Sequence, residues 1–209
     1  MQADVATILT ILDKMYPGAN CELEHQTPFE LLVATILSAQ ATDKKVNEIT
    51  SVLFRKYNTA EQFAKLSVEE LEKEIRQIGL SRTKSRNIIA AAKLIMEQHA
   101  GEVPRTREEL EALPGVGRKT ANVVLSTAFG VPTIAVDTHV FRVANRLGLA
   151  DSADVRTTEE QLMLRIPQEQ WISTHHGLIW HGRRLCFARK PNCVRCDLLF
   201  ACKEGENFL

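Results

Sequence analysis

Apolar residues recur at Val5, Ile8, Leu9, Leu12 and Met15, which predicts an amphipathic helix that Tyr16-Pro17-Gly18 ends. From Pro28 to Leu37 the chain is apolar nearly all round, through Phe29, Leu31, Leu32, Val33, Ile36 and Leu37, so a buried helix is expected. Thr42 or Asp43 can cap a third helix running to about Lys56. Ser67-Val68-Glu69-Glu70 has the form of a capping box and leads a helix to Ile78. After Gly79-Leu80-Ser81 another helix is expected from about Thr83 to His99. Thr106-Arg107-Glu108-Glu109 is a second Thr-x-x-Glu capping pattern and opens a short helix ending near Leu113. Arg118 to Phe129 is small and apolar enough for a buried helix. One more is expected after Asp137 to about Leu147, closed by Gly148, and two further segments near Thr158 to Ile166 and Ser173 to His181. No pair of runs alternates as strands would, so the expected class is all-α.

Between two of these helices lies Leu113-Pro114-Gly115-Val116-Gly117-Arg118-Lys119-Thr120-Ala121. Pro114 stops the first helix, while Gly115 and Gly117 permit backbone angles and close approaches that a side chain would forbid. A helix, tight hairpin and helix result. The hairpin leaves amide N–H groups at the start of the second helix, where the dipole also favours an anion such as a DNA phosphate. On spacing alone it is equally an ordinary turn between packed helices. Asp137 belongs with this stretch: from Pro114 to Ala150 it is the only acid among Arg118, Lys119, Arg142 and Arg146.

Composition narrows the setting. The 209 residues suffice for one domain or two small lobes, and 44% hydrophobic residues is ordinary for a globular chain. Net charge is zero, so any case for nucleic-acid binding rests on local patches. Two basic runs without acids exist, one holding Arg76, Arg82, Lys84, Arg86 and Lys93, the other Arg183, Arg184, Arg189, Lys190 and Arg195. Such runs also occur as plain solvated faces. No targeting segment or bilayer-length apolar run is visible, so a cytoplasmic protein without membrane contact is expected.

Four of the five cysteines, Cys186, Cys193, Cys196 and Cys202, form C-x6-C-x2-C-x5-C near the C-terminus. Four soft ligands this compact bind zinc or an iron-sulfur cluster, and spacing alone leaves both open. Cys21 reads as a bystander, and His175, His176 and His181, near Trp171 and Trp180, read as packing residues rather than a second metal site. No role is assigned to His139.

The Leu-Pro-Gly-Val-Gly-x-Lys-Thr-Ala string and the cysteine loop resemble the endonuclease III branch of the helix-hairpin-helix DNA glycosylase family, from the Pro28 helix through Cys202. The resemblance implies a two-lobed all-α fold with DNA between the lobes, residues 22–132 forming the hairpin lobe and 1–21 with 133–209 the cluster lobe. It implies a bifunctional glycosylase and abasic-site lyase acting on oxidised pyrimidines in double-stranded DNA, and a [4Fe-4S] cluster on the four cysteines; a monomer is expected. Lys119 matches the family's nucleophilic lysine and Asp137 its catalytic aspartate. Gln40, in Ser38-Ala39-Gln40-Ala41-Thr42-Asp43, would fill the space of an extruded nucleotide, and Leu80 would wedge beside the lesion. Gly115, Gly117, Arg118, Thr120, Arg189 and Lys190 would contact the DNA backbone. Arg184, after Gly182-Arg183, departs from the family pattern, which has an aromatic residue there.

Each residue also has a bland alternative. Lys119 could be a phosphate-binding or surface lysine, but at the first turn of its helix the dipole disfavours its ammonium form, and partial desolvation would leave a nucleophilic amine. Asp137 could simply cap its helix, Gln40 could sit in a plain loop, and Leu80 could be a turn residue tucked into the core. Lys84-Ser85-Arg86-Asn87-Ile88 faintly repeats Lys119-Thr120-Ala121-Asn122-Val123, which common helical-hairpin chemistry can explain. Two competing functions remain: an adenine glycosylase, which Lys119 and a chain ending at Leu209 disfavour, and a non-catalytic DNA-binding module.

Overall fold

In the computed structural model, which describes residues 4–205, the chain is helical, with no strand among the described residues. The helices are α1 (Val5–Met15), α2 (Pro28–Ser38), α3 (Asp43–Lys56), α4 (Ala60–Ala64), α5 (Val68–Ile75) and α6 (Ser81–Gln98). They continue with α7 (Arg107–Glu111), α8 (Arg118–Phe129), α9 (Thr138–Arg146), α10 (Val155–Arg165) and α11 (Trp171–Arg184). Two compact units are formed, one by residues 21–131 and one by residues 1–20 with 132–209.

The 21–131 unit buries α2 at its centre, with Leu31, Leu32, Ala34 and Leu37 almost fully enclosed. An all-round apolar helix can be stable only there, and α3, α6 and α8 pack against it. Phe63 from α4 and Leu71 and Ile75 from α5 complete this core over α6. In the other unit α9 and α1 both pack on α11, and Leu12, Val140, Val143, Leu162 and Leu178 form the core.

Polar side chains fix most helix starts. Thr27, Thr42 and Ser67 accept the amide of the third helical residue of α2, α3 and α5, and Asp154 does the same for α10. The Asp154 cap starts α10 at Val155, three residues before the expected start. Helix α5 ends at Ile75 rather than Ile78, because the Ile78 amide folds back onto the Ile75 carbonyl in a turn. Helix α6 begins at Ser81, earlier than expected, because Leu80 takes a left-handed conformation (φ 60°) and its carbonyl accepts the Lys84 amide. At α7, Thr106 accepts the Glu109 amide, but the Glu109 carboxylate takes the Thr106 hydroxyl at 2.6 Å. The sequence pattern is there without the reciprocal backbone bond.

Helix α4 was not anticipated. Five residues are too short to show a period, although Thr59 and Gln62 form a full capping box at its start. Helix α11 is longer than expected at both ends and is preceded by a 3-10 turn at Gln168–Gln170.

Gly115 is the tightest point of the α7–α8 connection. Its φ is +81°, and a Cβ there would lie 2.9 Å from the Asn87 Cβ on α6. Gly18 is also left-handed (φ +70°) but faces open space. Gly115→Ala is therefore expected to destabilise the protein by about 2–3 kcal/mol, through strain plus a clash, and Gly18→Ala by about 1 kcal/mol, through strain alone. Urea denaturation of the two variants checks this ordering.

Candidate active site and cysteine centre

Lys119 sits in the first turn of α8, just after the hairpin. It is exposed, so the partial desolvation expected for it is not what the fold provides. Gly117 is the N-cap, with an extended backbone (φ −101°, ψ 177°) and no side chain to cap the helix. A Cβ at Gly117 would meet nothing within 4 Å, so the protein itself does not require glycine there; only Gly115 is demanded by the backbone. The openness at Gly117 leaves the start of α8 accessible to something outside the chain. Arg118 and Thr120, both half-buried, flank Lys119 on this turn.

Gln40 and Leu80 lie in the same unit as Lys119, on two separate connections. Both are exposed and both have left-handed backbones, with φ 58° and 60°. Leu80 is 60% exposed, which rules out a turn residue tucked into the core. Lys84, one turn into α6, is buried, and its Nζ donates to the Leu37 and Ala39 carbonyls at 2.9 and 2.6 Å.

Asp137 belongs to the other unit, at the N-cap of α9. Its Oδ1 accepts from the His139 and Val140 amides, each at 2.8 Å, so capping engages one carboxylate oxygen and leaves the second for another role. His139 is half-buried, and burial lowers its pKa, favouring the neutral imidazole; its Nδ1 meets an Arg142 nitrogen at 3.2 Å.

The two arginines of α9 do not gather around Asp137. Arg142 donates to the Gly182 and Cys186 carbonyls at 3.0 Å. Arg146 donates to the Cys186 Sγ at 3.3 Å, the Phe187 carbonyl at 2.8 Å and the Ala188 carbonyl at 3.2 Å, and its own carbonyl accepts the Lys203 amide. Both hold the cysteine loop, across about forty residues of sequence that no local pattern links.

Cys186, Cys193, Cys196 and Cys202 line one cavity, with Leu147, Leu185, Leu199 and Pro191 as its apolar wall. Burial pushes the Cys196 thiol up to about 11, reinforced by the other three cysteines, and raises those of Cys193 and Cys202 in the same direction. Thiols held protonated in this way, as Cys193, Cys196 and Cys202 are, suit a centre whose positive charge would displace their protons. Among the described residues no three His, Cys, Asp or Glu side chains converge as ligands of a single metal ion.

His181 joins this pocket and is not merely packing. Its Nδ1 is 3.0 Å from the Tyr16 hydroxyl and its Nε2 3.8 Å from the Cys196 Sγ, and burial pushes its pKa down to about 4. His175 and His176 instead lie against each other, ring centroids 4.0 Å apart. Arg184, at the position where the family pattern has an aromatic residue, stacks its guanidinium 3.6 Å from the Trp180 ring centroid. Arg189 and Lys190 are exposed on the loop between Cys186 and Cys193.

Residues 33–168 match the HhH-GPD superfamily base excision DNA repair protein family. The chain is 54% identical to endonuclease III of Bacillus subtilis (strain 168), over 93% of this chain and 91% of that protein. It is 51% identical to endonuclease III of Escherichia coli (strain K12), over 95% and 94%. Its structure is similar to that of a trapped endonuclease III-DNA covalent intermediate, with a TM-score of 0.93, 51% identity and coverage of 97% and 96%.

Arg146→Ala is expected to destabilise the unit that contains α9 by about 2 kcal/mol, because the Phe187 and Ala188 carbonyls lose a charged, part-buried donor. Urea denaturation measures the loss, and hydrogen exchange should locate it as faster exchange in residues 186–204.

Proposed function

The chain belongs to the endonuclease III family of base excision DNA repair proteins and is a DNA glycosylase and abasic-site lyase acting on damaged pyrimidines; we propose that Lys119 is its nucleophile and Asp137 its charge-stabilising carboxylate. The observation that carries this assignment is an exposed lysine in the first turn of a helix whose glycine N-cap leaves the approach open. Its damaged pyrimidines are oxidised ones in double-stranded DNA, as the resemblance to the family implies.

The target nucleotide is first rotated out of the duplex, since its sugar cannot be reached in the stack. The Lys119 Nζ attacks C1′ of the deoxyribose, the glycosidic bond breaks, and the base leaves with the electron pair and takes up a proton. Opening of the sugar ring gives a protonated imine between Nζ and C1′. Loss of a C2′ proton then expels the 3′ phosphate by β-elimination, and hydrolysis of the imine returns Lys119. Asp137 stabilises the positive charge that develops on the sugar as the base departs, and it accepts a proton from the lysine. Because Oδ1 alone makes the cap, Oδ2 remains available for this work.

DNA is the partner, and in this reading Gln40 and Leu80 enter the duplex while Gly115, Gly117, Arg118 and Thr120 meet the backbone. The cysteine quartet holds a [4Fe-4S] cluster. What supports a cluster over a single zinc ion is membership of the endonuclease III family together with the C-x6-C-x2-C-x5-C spacing. Bound there, the cluster supplies a rigid, thiolate-anchored staple for the loop that presents Arg189 and Lys190 to phosphate.

Borohydride trapping on duplex DNA with one abasic site should give a covalent adduct that Lys119→Ala abolishes. Asp137→Asn keeps an oxygen for the α9 cap, so its denaturation midpoint should stay near that of the parent while base removal slows by about 100-fold or more. An adduct that survives Lys119→Ala would overturn the nucleophile assignment; tight DNA binding with neither base removal nor adduct would point to a binding module.

For the cysteine centre, elemental analysis of the purified protein should find iron with an equal amount of acid-labile sulfide. Stoichiometric zinc without sulfide would refute the cluster. Cys196→Ser should lower the iron content and loosen the loop without removing Lys119's ability to react with an abasic site in single-stranded DNA.

A further inference from the structure

Four non-glycine residues have left-handed backbones among those described: Gln40, Leu80, Ala100 and Lys190. Gln40 and Leu80 are the two assigned above to enter the duplex, and both are exposed. A left-handed backbone is unfavourable for a side-chain-bearing residue, so each must be held by its surroundings. One residue, Lys84, makes hydrogen bonds at both connections, with its side chain at the first and its backbone amide at the second.

Helix α2 ends at Ser38, and its final carbonyls lack intrahelical partners. Lys84 reaches them from α6: it is 5% exposed, and its ammonium donates to Leu37 O and Ala39 O at 2.9 and 2.6 Å. These two carbonyls bracket the point where the chain leaves α2, and Gln40 is the next residue. A positive charge at a helix C-terminus is also favoured by the dipole. The amide of the same lysine donates to Leu80 O at 2.9 Å, the first bond of α6, which fixes the turn that projects Leu80. Burial lowers the pKa of Lys84, the cost of placing an ammonium there. A lysine needed only for solubility would not be buried this way, and one needed only for packing would be better replaced by Met or Leu.

We propose that Lys84 is a positioning residue for DNA opening: through its ammonium, which holds the carbonyls on either side of the end of α2, it aims Gln40. It touches neither substrate nor Lys119's chemistry, and it acts through that side chain. This rests on the reading that Gln40 and Leu80 enter the duplex.

The test compares the parent with Lys84→Met, which keeps the apolar stem and loses the donors, and Lys84→Arg, which keeps donors and charge. Borohydride trapping is measured on an abasic site in duplex DNA and in single-stranded DNA, where no duplex has to be opened. Fluorescence of a 2-aminopurine opposite a tetrahydrofuran abasic analogue reports the opening itself. Lys84→Met should slow duplex trapping roughly 10- to 100-fold, the scale of a small misplacement of a positioning group, and abolish most of the fluorescence change. Single-strand trapping should stay within about twofold, and Lys84→Arg should recover a substantial part of the duplex rate.

Equal losses on duplex and single strand, or no loss on either, would overturn the proposal. If Lys84→Met does not fold, Lys84→Gln, which retains one donor group, serves in its place with the same readouts. Gln40→Ala combined with Leu80→Ala separates the two layers. If that double variant opens the duplex normally, the insertion reading fails and takes this inference with it; if it loses opening while Lys84→Met retains it, only the role of Lys84 is refuted. Adding Lys84→Met to the double variant should cost nothing further in opening.

Discussion

A helix cannot satisfy its own first amides, and the way each N-terminus solves that problem separates structure from function here. Asp4, Thr27, Thr42, Thr59, Ser67, Thr106 and Asp154 close their helices with a side-chain oxygen, and these seven starts are scaffold. Helix α11 continues directly from a 3-10 turn, while α6 and α8 begin at Leu80 and Gly117 with neither a side-chain cap nor a preceding turn of helix. Leaving a cap out costs about 1 kcal/mol, so an uncapped start needs a compensating use. At α8 the use is an open approach to Lys119, and at α6 it is the outward turn of Leu80. Asp137 is the intermediate case, a cap that spends one carboxylate oxygen on the helix and keeps the other.

The faint repeat of Lys84-Ser85-Arg86-Asn87-Ile88 in Lys119-Thr120-Ala121-Asn122-Val123 gains a physical meaning from this contrast. Both lysines stand within the first turn or so of a helix that lacks a side-chain cap. One has turned inward, buried against the end of α2, and the other outward, exposed beside an open glycine. The same local chemistry therefore yields a strut at one site and an exposed amine at the other, and the difference lies in what packs alongside. Asn87 marks the contact between the two hairpins, since its side chain occupies the space a Cβ at Gly115 would need.

Most helices were legible in the sequence because their information is local. Periodic apolar residues and Ser, Thr or Asp caps lie within a turn or two of the boundary they set, as at α1, α3 and α5. Boundaries slipped where backbone geometry intervened, as at Leu80, whose left-handed conformation no propensity foretells. Helix α4 was too brief for any period. The site residues Lys119 and Asp137 stood out by motif and charge, and the four cysteines by spacing. Lys84, Arg142 and His181 did not, because each acts on groups 15 to 165 residues away and looks from its neighbours like one more base in a helix.

Helix α9 carries this long-range logic furthest. Its N-terminus is Asp137; five and nine residues on, Arg142 and Arg146 grip the carbonyls and sulfur at the start of the cysteine loop. The sequence places these bases near a lone acid and suggests that they answer its charge, yet their hydrogen bonds run to Gly182, Cys186, Phe187 and Ala188 instead. One short helix thus links the carboxylate to the cysteine centre mechanically, since a helix transmits displacement along its axis as a rigid element. A change in that loop therefore reaches Asp137 through the two arginines that grip it and the short helix that joins them to the cap.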